Sequence, residues 1–210
     1  MDTPPASSLP RRTARVARAT RETDVTVDLD LDAAPGTDAD VSTGIGFFDH
    51  MLVLLARHGG LGLTVRATGD LHVDDHHTVE DVGLALGEAL GAALGDKAFV
   101  GRYGHAVIPM DEALARAAVD LSGRPFFAFD AAPGAGFARD RVGELSTEMV
   151  PHFWQSVSTA ARITLHLTLL AGANDHHRAE ALFKAAGRAL REAVRRDAAG
   201  DPLPSTKGTY

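Results

Sequence analysis

The sequence predicts an α+β fold built from an internally duplicated unit. Three observations lead to this prediction: segments in which apolar and polar residues alternate, two long segments with helical periodicity, and a displacement of 100 residues that relates the second long segment to the first. The chain has 210 residues, of which 45% are hydrophobic and 23% charged, so it is long and apolar enough to bury a core.

The first half begins with a strand pattern. Apolar and polar residues alternate over residues 25–31, which predicts a strand with one face toward water. A turn follows at residues 35–36, and a short helix is predicted around residues 49–55. Residues 63–67 predict a second strand, and residues 71–73 predict a further short one.

A long helix is predicted from about residue 75 to residue 94, with one apolar face. The second half then repeats the order of elements. Strand patterns cover residues 119–121, 126–129 and 163–169, and a helix is predicted from about residue 152 to 161. A last long helix is predicted from about residue 176 to 195.

The two long helices share one residue pattern. Positions displaced by 100 residues correspond as Val82/Leu182, Leu86/Ala186, Ala89/Ala189, Leu90/Leu190, Ala93/Ala193, His76/His176, His77/His177 and Glu80/Glu180. The short helices correspond through His50 and His152, displaced by 102. We therefore predict half-repeats over residues 11–100 and 101–210 that form one compact catalytic domain.

The start of the chain differs from the rest in composition. The first twenty residues carry three prolines followed by four arginines, and this composition favours a flexible tail. We assign the tail to residues 1–10, before the predicted domain. The absence of cysteine excludes a disulfide framework, a cysteine-ligated metal site and a thiol nucleophile, and it permits a reducing compartment, so we expect a cytoplasmic protein. A net charge of −7 argues against nucleic-acid binding, and the lack of a long apolar run argues against a membrane span.

Each long helix is predicted to begin with a His-His-x-x-Glu unit, at residues 76–80 and 176–180. The first histidine and the glutamate are four residues apart, and the second histidine and the glutamate are three apart, so either pair can approach one metal ion. Adjacent histidines on a helix point about 100° apart, so one ion cannot readily take both. Two metals, or metals shared between halves or subunits, resolve this conflict.

His50 and His152 supply a further imidazole to each half, which brings the total to six histidines and two glutamates. Three histidines and one glutamate for each of two metals, without a thiolate, suit Mn, Fe, Zn or Co. One such pair of histidines alone is more often an exposed helix start, but two pairs with the same glutamate spacing favour a metal site. The aspartates before the helices are interpreted as N-caps: Asp74, Asp75 and Asp175. The other histidines are predicted to lie at the surface, in the packing or behind the ligands: His58, His72, His105 and His166.

A second set of residues suits a phosphate monoester. Arg102 and Arg124 each lie beside a glycine, and Ser205 and Lys207 lie in a Pro-Ser-Thr-Lys-Gly segment. Arginine forks and a Ser/Lys loop can hold phosphate oxygens, although scattered arginines are usually solvated. The segment lacks the Walker A spacing, so a nucleotide-binding P-loop is not indicated.

Taken together, these motifs resemble the imidazoleglycerol-phosphate dehydratase family from about residue 11 to the C-terminus. The resemblance rests on Arg-Glu-Thr at 21–23, GIGFFDHML from Gly44, the two His-His-x-x-Glu units, DLSGRP from Asp120, AEALFKA from Ala179 and PSTKG from Pro204. It implies a duplicated α+β unit, each half a four-stranded sheet packed with helices. It also implies two Mn²⁺ ions per active site and a homo-oligomeric cage of 24 subunits with octahedral symmetry, whose sites lie between subunits.

Carried over position by position, the resemblance implies a role for each motif residue. The implied metal ligands are His50, His76, His77, Glu80, His152, His176, His177 and Glu180. Glu22 is the implied catalytic acid/base. The implied substrate-binding residues are Arg102, Arg124, Lys184, Ser205 and Lys207. The chain departs from the family at Thr209 and Tyr210, where small or aliphatic residues are usual, and in its first ten residues.

The implied reaction removes water from D-erythro-imidazoleglycerol phosphate and gives imidazoleacetol phosphate in histidine biosynthesis. The metal would lower the pKa of the substrate's ring N–H, and Glu22 would move protons at the substrate carbon. Two other functions compete: a dimetal phosphohydrolase, and a non-catalytic cage assembled through metals. The presence of Glu22, Lys184 and the Arg/Lys set favours catalysis over the cage.

Overall fold

A computed structural model of the chain describes residues 10–197, which form two four-stranded sheets and four helices. The first sheet contains β1 (Thr13–Ala19), β2 (Thr23–Asp30), β3 (Asp40–Ser42) and β4 (Gly62–Gly69) in the order β1-β2-β4-β3. The pairs β1/β2 and β2/β4 are antiparallel, and β3 lies parallel to β4. Helix α1 (Gly46–Gly59) connects β3 to β4, and helix α2 (His76–Leu94) follows β4.

The second half repeats this topology after residue 100. Its strands include β5 (Tyr103–Met110), β6 (Ala113–Asp120) and β7 (Phe126–Ala131), followed by a small hairpin of β8 (Arg141–Val142) and β9 (Leu145–Ser146). Helix α3 (Met149–Ala161), strand β10 (Thr164–Ala171) and helix α4 (Asp175–Ala193) complete it. The strand order β5-β6-β10-β7 has the same parallel and antiparallel pairings as the first sheet. The predicted duplicated α+β fold is confirmed.

The core lies between the inner faces of the sheets and the helices. Alternation along β2 buries Val25, Val27 and Leu29, and Val27 lies opposite the buried Val65 of β4. The apolar faces predicted for the two long helices are all buried against these sheets. The burial of one strand face and one helix stripe is what the two periodicities in the sequence require. Within the described range, no helix combines the length and apolar character of a membrane-spanning segment.

The short helices pack against the long helix of the opposite half. Helix α3 lies along α2, and α1 lies along α4. A Cβ at Gly87 would lie 2.6 Å from the Val157 carbonyl oxygen, and one at Gly187 would lie 2.9 Å from the Leu55 carbonyl oxygen. These two glycines occupy equivalent repeat positions, and each permits the close approach of a short helix.

Strand β1 corrects the prediction of a flexible tail for the first twenty residues. Thr13–Ala19 pairs with β2 along its whole length. Its two arginines form ion pairs with aspartates: Arg18 lies 2.7 Å from Asp81, and Arg15 lies 3.3 Å from Asp28. Alanine and arginine gave no strong strand pattern, because neither residue is among those enriched in strands. Residues 1–9 lie outside the described part of the chain.

Further elements differ from the prediction. Residues 71–73 form a turn instead of a strand, closed by a hydrogen bond from Val73 N to the Asp70 carbonyl oxygen at 2.7 Å. Strand β5 was not predicted, and β6 begins at Ala113, earlier than the predicted strand start at 119. The inner face of β6 begins with three buried alanines, Ala113, Ala115 and Ala117, before Val119, and such small residues give a weak strand signal.

Candidate metal centre

Two clusters of imidazole and carboxylate groups lie at the starts of the long helices. In each cluster, three candidate ligand atoms lie within 4.8 Å of one another. Cluster A consists of His76, Glu80 and His152, and cluster B of His50, His176 and Glu180. The structure therefore brings together six of the eight predicted metal ligands.

Each cluster draws its residues from both halves of the chain. His152 Nε2 on α3 lies 3.6 Å from Glu80 Oε1 on α2. His50 Nε2 on α1 lies 3.9 Å from Glu180 Oε2 on α4, which is also 3.2 Å from His176 Nε2. The sequence assigned one upstream histidine to each half. The structure instead places each upstream histidine beside the unit of the opposite half, because the short helices pack across the repeat.

The donor atoms of cluster A fit a metal ion. His152 Nε2 is buried and has no hydrogen-bond partner among residues 10–197. Its 3.6 Å separation from Glu80 Oε1 is too long for a hydrogen bond. A buried nitrogen without a partner is unfavourable, and an ion held between imidazole and carboxylate would satisfy it. Cluster B has the same donor types.

Two polar side chains begin the helices that carry the clusters. Asp74 Oδ1 accepts a hydrogen bond from His76 N at 2.9 Å, and Asn174 Oδ1 accepts one from His176 N at 2.9 Å. These bonds satisfy backbone donors in the first turn of each helix. The first histidine of each unit is therefore fixed at a defined helix start.

The side chains of Asp75 and Asp175 do not cap the helices, which corrects the N-cap interpretation for these two residues. Both carboxylates are buried and accept hydrogen bonds from distant segments. Asp75 accepts from Ser146 N at 2.5 Å and from Ser146 Oγ at 2.8 Å. Asp175 accepts from Ala138 N at 3.1 Å and from Arg139 N at 2.9 Å. They tie the helix starts to the segment between β7 and α3.

The second histidine of each unit lies outside the two clusters. His77 Nδ1 lies 3.0 Å from Asp70 Oδ2, and His177 Nδ1 lies 2.7 Å from Glu112 Oε2. Hydrogen bonding to Asp70 raises the pKa of His77, and hydrogen bonding to Glu112 raises the pKa of His177, because each carboxylate favours the imidazolium form. Each carboxylate also fixes the ring orientation through Nδ1, so Nε2 is the nitrogen that could bind a metal.

Glu112 and Asp70 were missed in the sequence. Glu112 Oε1 accepts hydrogen bonds from Asn174 N at 2.8 Å and from Ala173 N at 3.1 Å, while Oε2 contacts His177. The bond from Asn174, with those from His177 and Ala173, lowers the pKa of Glu112 to about 2. Glu112 lies in the turn between β5 and β6, and the fold brings this turn to His177. No local sequence motif indicates such a contact.

Glu22 lies beside His77, and Lys184 lies beside Glu180 of cluster B. Glu22 is exposed in the turn between β1 and β2, with Oε2 3.8 Å from His77 Nδ1. Lys184 Nζ lies 2.5 Å from Glu180 Oε1 in cluster B. Burial raises the pKa of Glu180, but hydrogen bonding to Lys184 and His176 outweighs it, so the pKa is lowered overall.

The two predicted phosphate-binding arginines lie far from the clusters of the same chain. Arg102 N donates to the Ala193 carbonyl oxygen at the end of α4, about 25 Å along the helix from His176. Its Nε donates to Asp120 Oδ1 at 2.8 Å. Arg124 is exposed in the loop after β6. Ser205 and Lys207 lie outside residues 10–197, so the structure does not place them.

Comparison with known proteins gives concordant matches. The family model for imidazoleglycerol-phosphate dehydratase matches residues 43–190. The chain is 60% identical over 209 residues to the imidazoleglycerol-phosphate dehydratase of Salinibacter ruber, covering 100% of this chain and 99% of that protein. It is 55% identical over 197 residues to the histidine biosynthesis bifunctional protein HisB of Stenotrophomonas maltophilia, covering 94% of this chain and 52% of the relative. The crystal structure of imidazoleglycerol-phosphate dehydratase from Staphylococcus aureus superimposes with a TM-score of 0.77 at 39% identity, over 88% of this chain and 99% of that one.

Proposed function

Since the chain belongs to the imidazoleglycerol-phosphate dehydratase family, we propose that its two clusters bind two manganese ions used in the dehydration of D-erythro-imidazoleglycerol phosphate. The product would be imidazoleacetol phosphate. Membership of the family makes the chain a carbon–oxygen lyase of histidine biosynthesis. The observation that carries the manganese proposal is the convergence of imidazole and carboxylate groups in both clusters.

Each of the two clusters would bind one metal ion. Cluster A would hold one ion through His76, Glu80 and His152, and cluster B the other through its equivalent residues. When bound, a metal supplies Lewis acidity that lowers the pKa of an imidazole N–H of the substrate. Three protein ligands leave coordination positions open for other groups, and Lys184 beside Glu180 would contact the substrate at cluster B.

Glu22 would move the proton at the substrate carbon. This carbon has no neighbouring carbonyl, so a positioned base is needed in addition to an electron sink. Glu22 suits the role because its carboxylate is accessible and lies 3.8 Å from His77. In the same turnover, the acid form of Glu22 could return a proton.

We propose that complete sites form between subunits of a homo-oligomer, and that this oligomer is a cage of 24 subunits. Support comes from the separation within one chain. Arg102 lies at the far end of α4, and neither His77 nor His177 belongs to a cluster. A neighbouring copy could bring Nε2 of these histidines to an ion and the phosphate-binding residues to the substrate: Arg102, Arg124, Ser205 and Lys207. The proposed partner is a small-molecule phosphate substrate. We expect no binding to nucleic acid or to a membrane, and the proposed location is the cytoplasm.

The decisive experiment measures turnover of imidazoleglycerol phosphate by chelator-stripped protein with and without Mn²⁺. Imidazoleacetol phosphate and free phosphate are followed together. Ketone product that appears only with metal supports the proposal. No ketone from assembled, metal-loaded protein contradicts it. Free phosphate would then indicate a dimetal phosphohydrolase, and the absence of any product a non-catalytic cage.

Glu22 is tested separately by Glu22→Gln. This change keeps the size of the side chain and removes its acid/base function. The variant is expected to retain metal content and assembly and to lose turnover. Normal turnover would remove Glu22 from the mechanism.

A further inference from the structure

The internal repeat is broken at the residue that follows each cluster glutamate. Position 81 on α2 is an aspartate, whereas the equivalent position 181 on α4 is an alanine. Asp81 is only 7% exposed. A buried carboxylate is unfavourable unless hydrogen bonds satisfy it, so its partners indicate why the first half keeps a charge here.

Both oxygens of Asp81 contact the strands that flank the turn carrying Glu22. Oδ1 accepts a hydrogen bond from Arg18 Nε on β1 at 2.7 Å. Oδ2 accepts a short hydrogen bond from Thr23 Oγ1 on β2. Asp81 therefore joins helix α2 to the last part of β1 and to the first residue of β2.

Hydrogen bonds continue from Thr23 into the turn. Thr23 Oγ1 lies 3.2 Å from Thr20 Oγ1, which accepts hydrogen bonds from Glu22 N at 3.1 Å and from Thr23 N at 3.0 Å. On the other side, Asp70 N donates to the Glu22 carbonyl oxygen at 3.1 Å. The backbone of Glu22 is thereby held from both directions, while its side chain stays accessible.

We infer that Asp81 is a positioning residue, which holds the Thr20–Thr23 turn so that the Glu22 carboxylate stays beside His77 and the metal-ligand helix. The inference rests on the proposed function, since it requires that Glu22 act as the acid/base. A displacement of about 1 Å at a reacting group can lower a rate by about 100-fold, so anchoring of an exposed turn matters for turnover. Ala181 leaves no equivalent anchor on α4.

The test combines Asp81→Ala with Glu22→Gln. Asp81→Ala is expected to lower kcat by about 10- to 100-fold, with KM and manganese content close to those of the wild type. In the Glu22→Gln background, the same change is expected to lower the residual rate by less than about threefold, because residues that act as a unit are not additive. An equal loss in both backgrounds would overturn the inference, since it indicates a general structural effect.

A second pair of variants guards against misfolding of Asp81→Ala. Thr23→Val removes the hydroxyl that links Asp81 to the turn at nearly constant volume, and Thr23→Ser keeps that hydroxyl. We expect Thr23→Val to lose kcat and Thr23→Ser to retain most of it. Equal activity of the two variants would overturn the inference. Full activity of Glu22→Gln would instead remove Glu22 from the proposed mechanism, and absence of ketone product from the metal-loaded wild type would refute the proposed function, so these failures are distinguishable from a failure of the Asp81 anchor.

Discussion

His152 Nε2 lies 3.6 Å from Glu80 Oε1, although these residues belong to different halves of the repeat. His50 and Glu180 make the reciprocal contact at 3.9 Å. The ligands of each cluster converge only when a short helix of one half is docked on the long helix of the other. A metal that binds only this arrangement stabilises it by mass action. Metal binding at these clusters would therefore be coupled to the docking of the two halves.

Removal of one upstream histidine should empty one cluster and spare the other. We expect His152→Ala to reduce the bound Mn²⁺ from two ions per chain to one, through loss of a ligand from cluster A. His50→Ala should do the same at cluster B. Metal analysis after dialysis against a fixed free Mn²⁺ concentration measures the change.

His166→Ala is the control for these histidine variants. His166 is exposed on β10 and belongs to neither cluster, so its removal should leave two ions bound. Loss of both ions from His152→Ala, or of none, would contradict the assignment of one ion to each cluster.

Gly87→Ala should separate α3 from α2. The added Cβ would lie 2.6 Å from the Val157 carbonyl oxygen and 2.7 Å from Ala160 Cβ, so the helices must move apart. Overpacking of this kind costs about 1–3 kcal/mol in the free energy of unfolding. The shift should also weaken Mn²⁺ binding at cluster A, because α3 carries His152. Denaturant unfolding and metal titration measure the two effects.

Gly91→Ala provides the matched control on the same helix. Its Cβ would lie 3.8 Å from the nearest atom, which is ordinary contact. The better helix propensity of alanine should leave stability unchanged or raise it by up to about 1 kcal/mol. Comparable destabilisation by both substitutions would show that the close helix approach at Gly87 is not the cause.

The sequence predicted the elements that have a strong period of their own. The long helices were found near the expected residues because their apolar faces recur with helical spacing. The strands β2, β4 and β10 were found because apolar and polar residues alternate along them. Strands β1 and β5 were missed, because alanine, arginine and glycine give no such alternation and their pairing depends on tertiary contacts.

The site was predictable only where the repeat marked it. The units at 76–80 and 176–180 supplied six of the eight predicted ligands, and His50 and His152 completed the predicted set. The exchange of His50 and His152 between halves was not predictable, since it follows from helix docking that sequence spacing does not encode. Glu112 was missed for the same reason, because its contact with His177 joins a turn and a helix 65 residues apart.

Glu112 should support metal binding through His177. Its carboxylate lies 2.7 Å from His177 Nδ1 and orients the ring. Loss of such a partner typically weakens metal affinity by about 10- to 100-fold, so we expect this effect from Glu112→Ala at the position that uses His177. Competition with a coloured chelator measures the affinity. Glu88→Gln, a change at an exposed carboxylate on α2, should have no effect. Equal affinities of Glu112→Ala and the wild type would exclude this supporting role.

Asp32 should stabilise the protein at neutral pH and lose that effect in acid. Burial raises the pKa of Asp32, but hydrogen bonds from Arg12 and Arg196 outweigh it and hold the pKa well below its usual range. The Asp32 carboxylate lies 2.6 Å from Arg12 Nη2 and 2.8 Å from Arg196 Nη2. Because Arg12 precedes β1 and Arg196 follows α4, these ion pairs connect the two ends of the described chain. Removal of this charge by Asp32→Asn should cost about 2 kcal/mol in the free energy of unfolding at pH 7.

The pH dependence of this cost has a definite sign. Because the pKa is lower in the folded than in the unfolded protein, the stabilisation is fully present above about pH 4 and decreases as the pH falls below that value. The gap between wild type and Asp32→Asn, measured by denaturant unfolding of metal-free protein, should therefore narrow between about pH 4 and pH 2. Asp28→Asn is the control, because its partner Arg15 is 71% exposed and such surface pairs contribute about 0–1 kcal/mol. A gap for Asp32→Asn that stays constant or widens in acid would mean that the carboxylate charge does not supply the stabilisation.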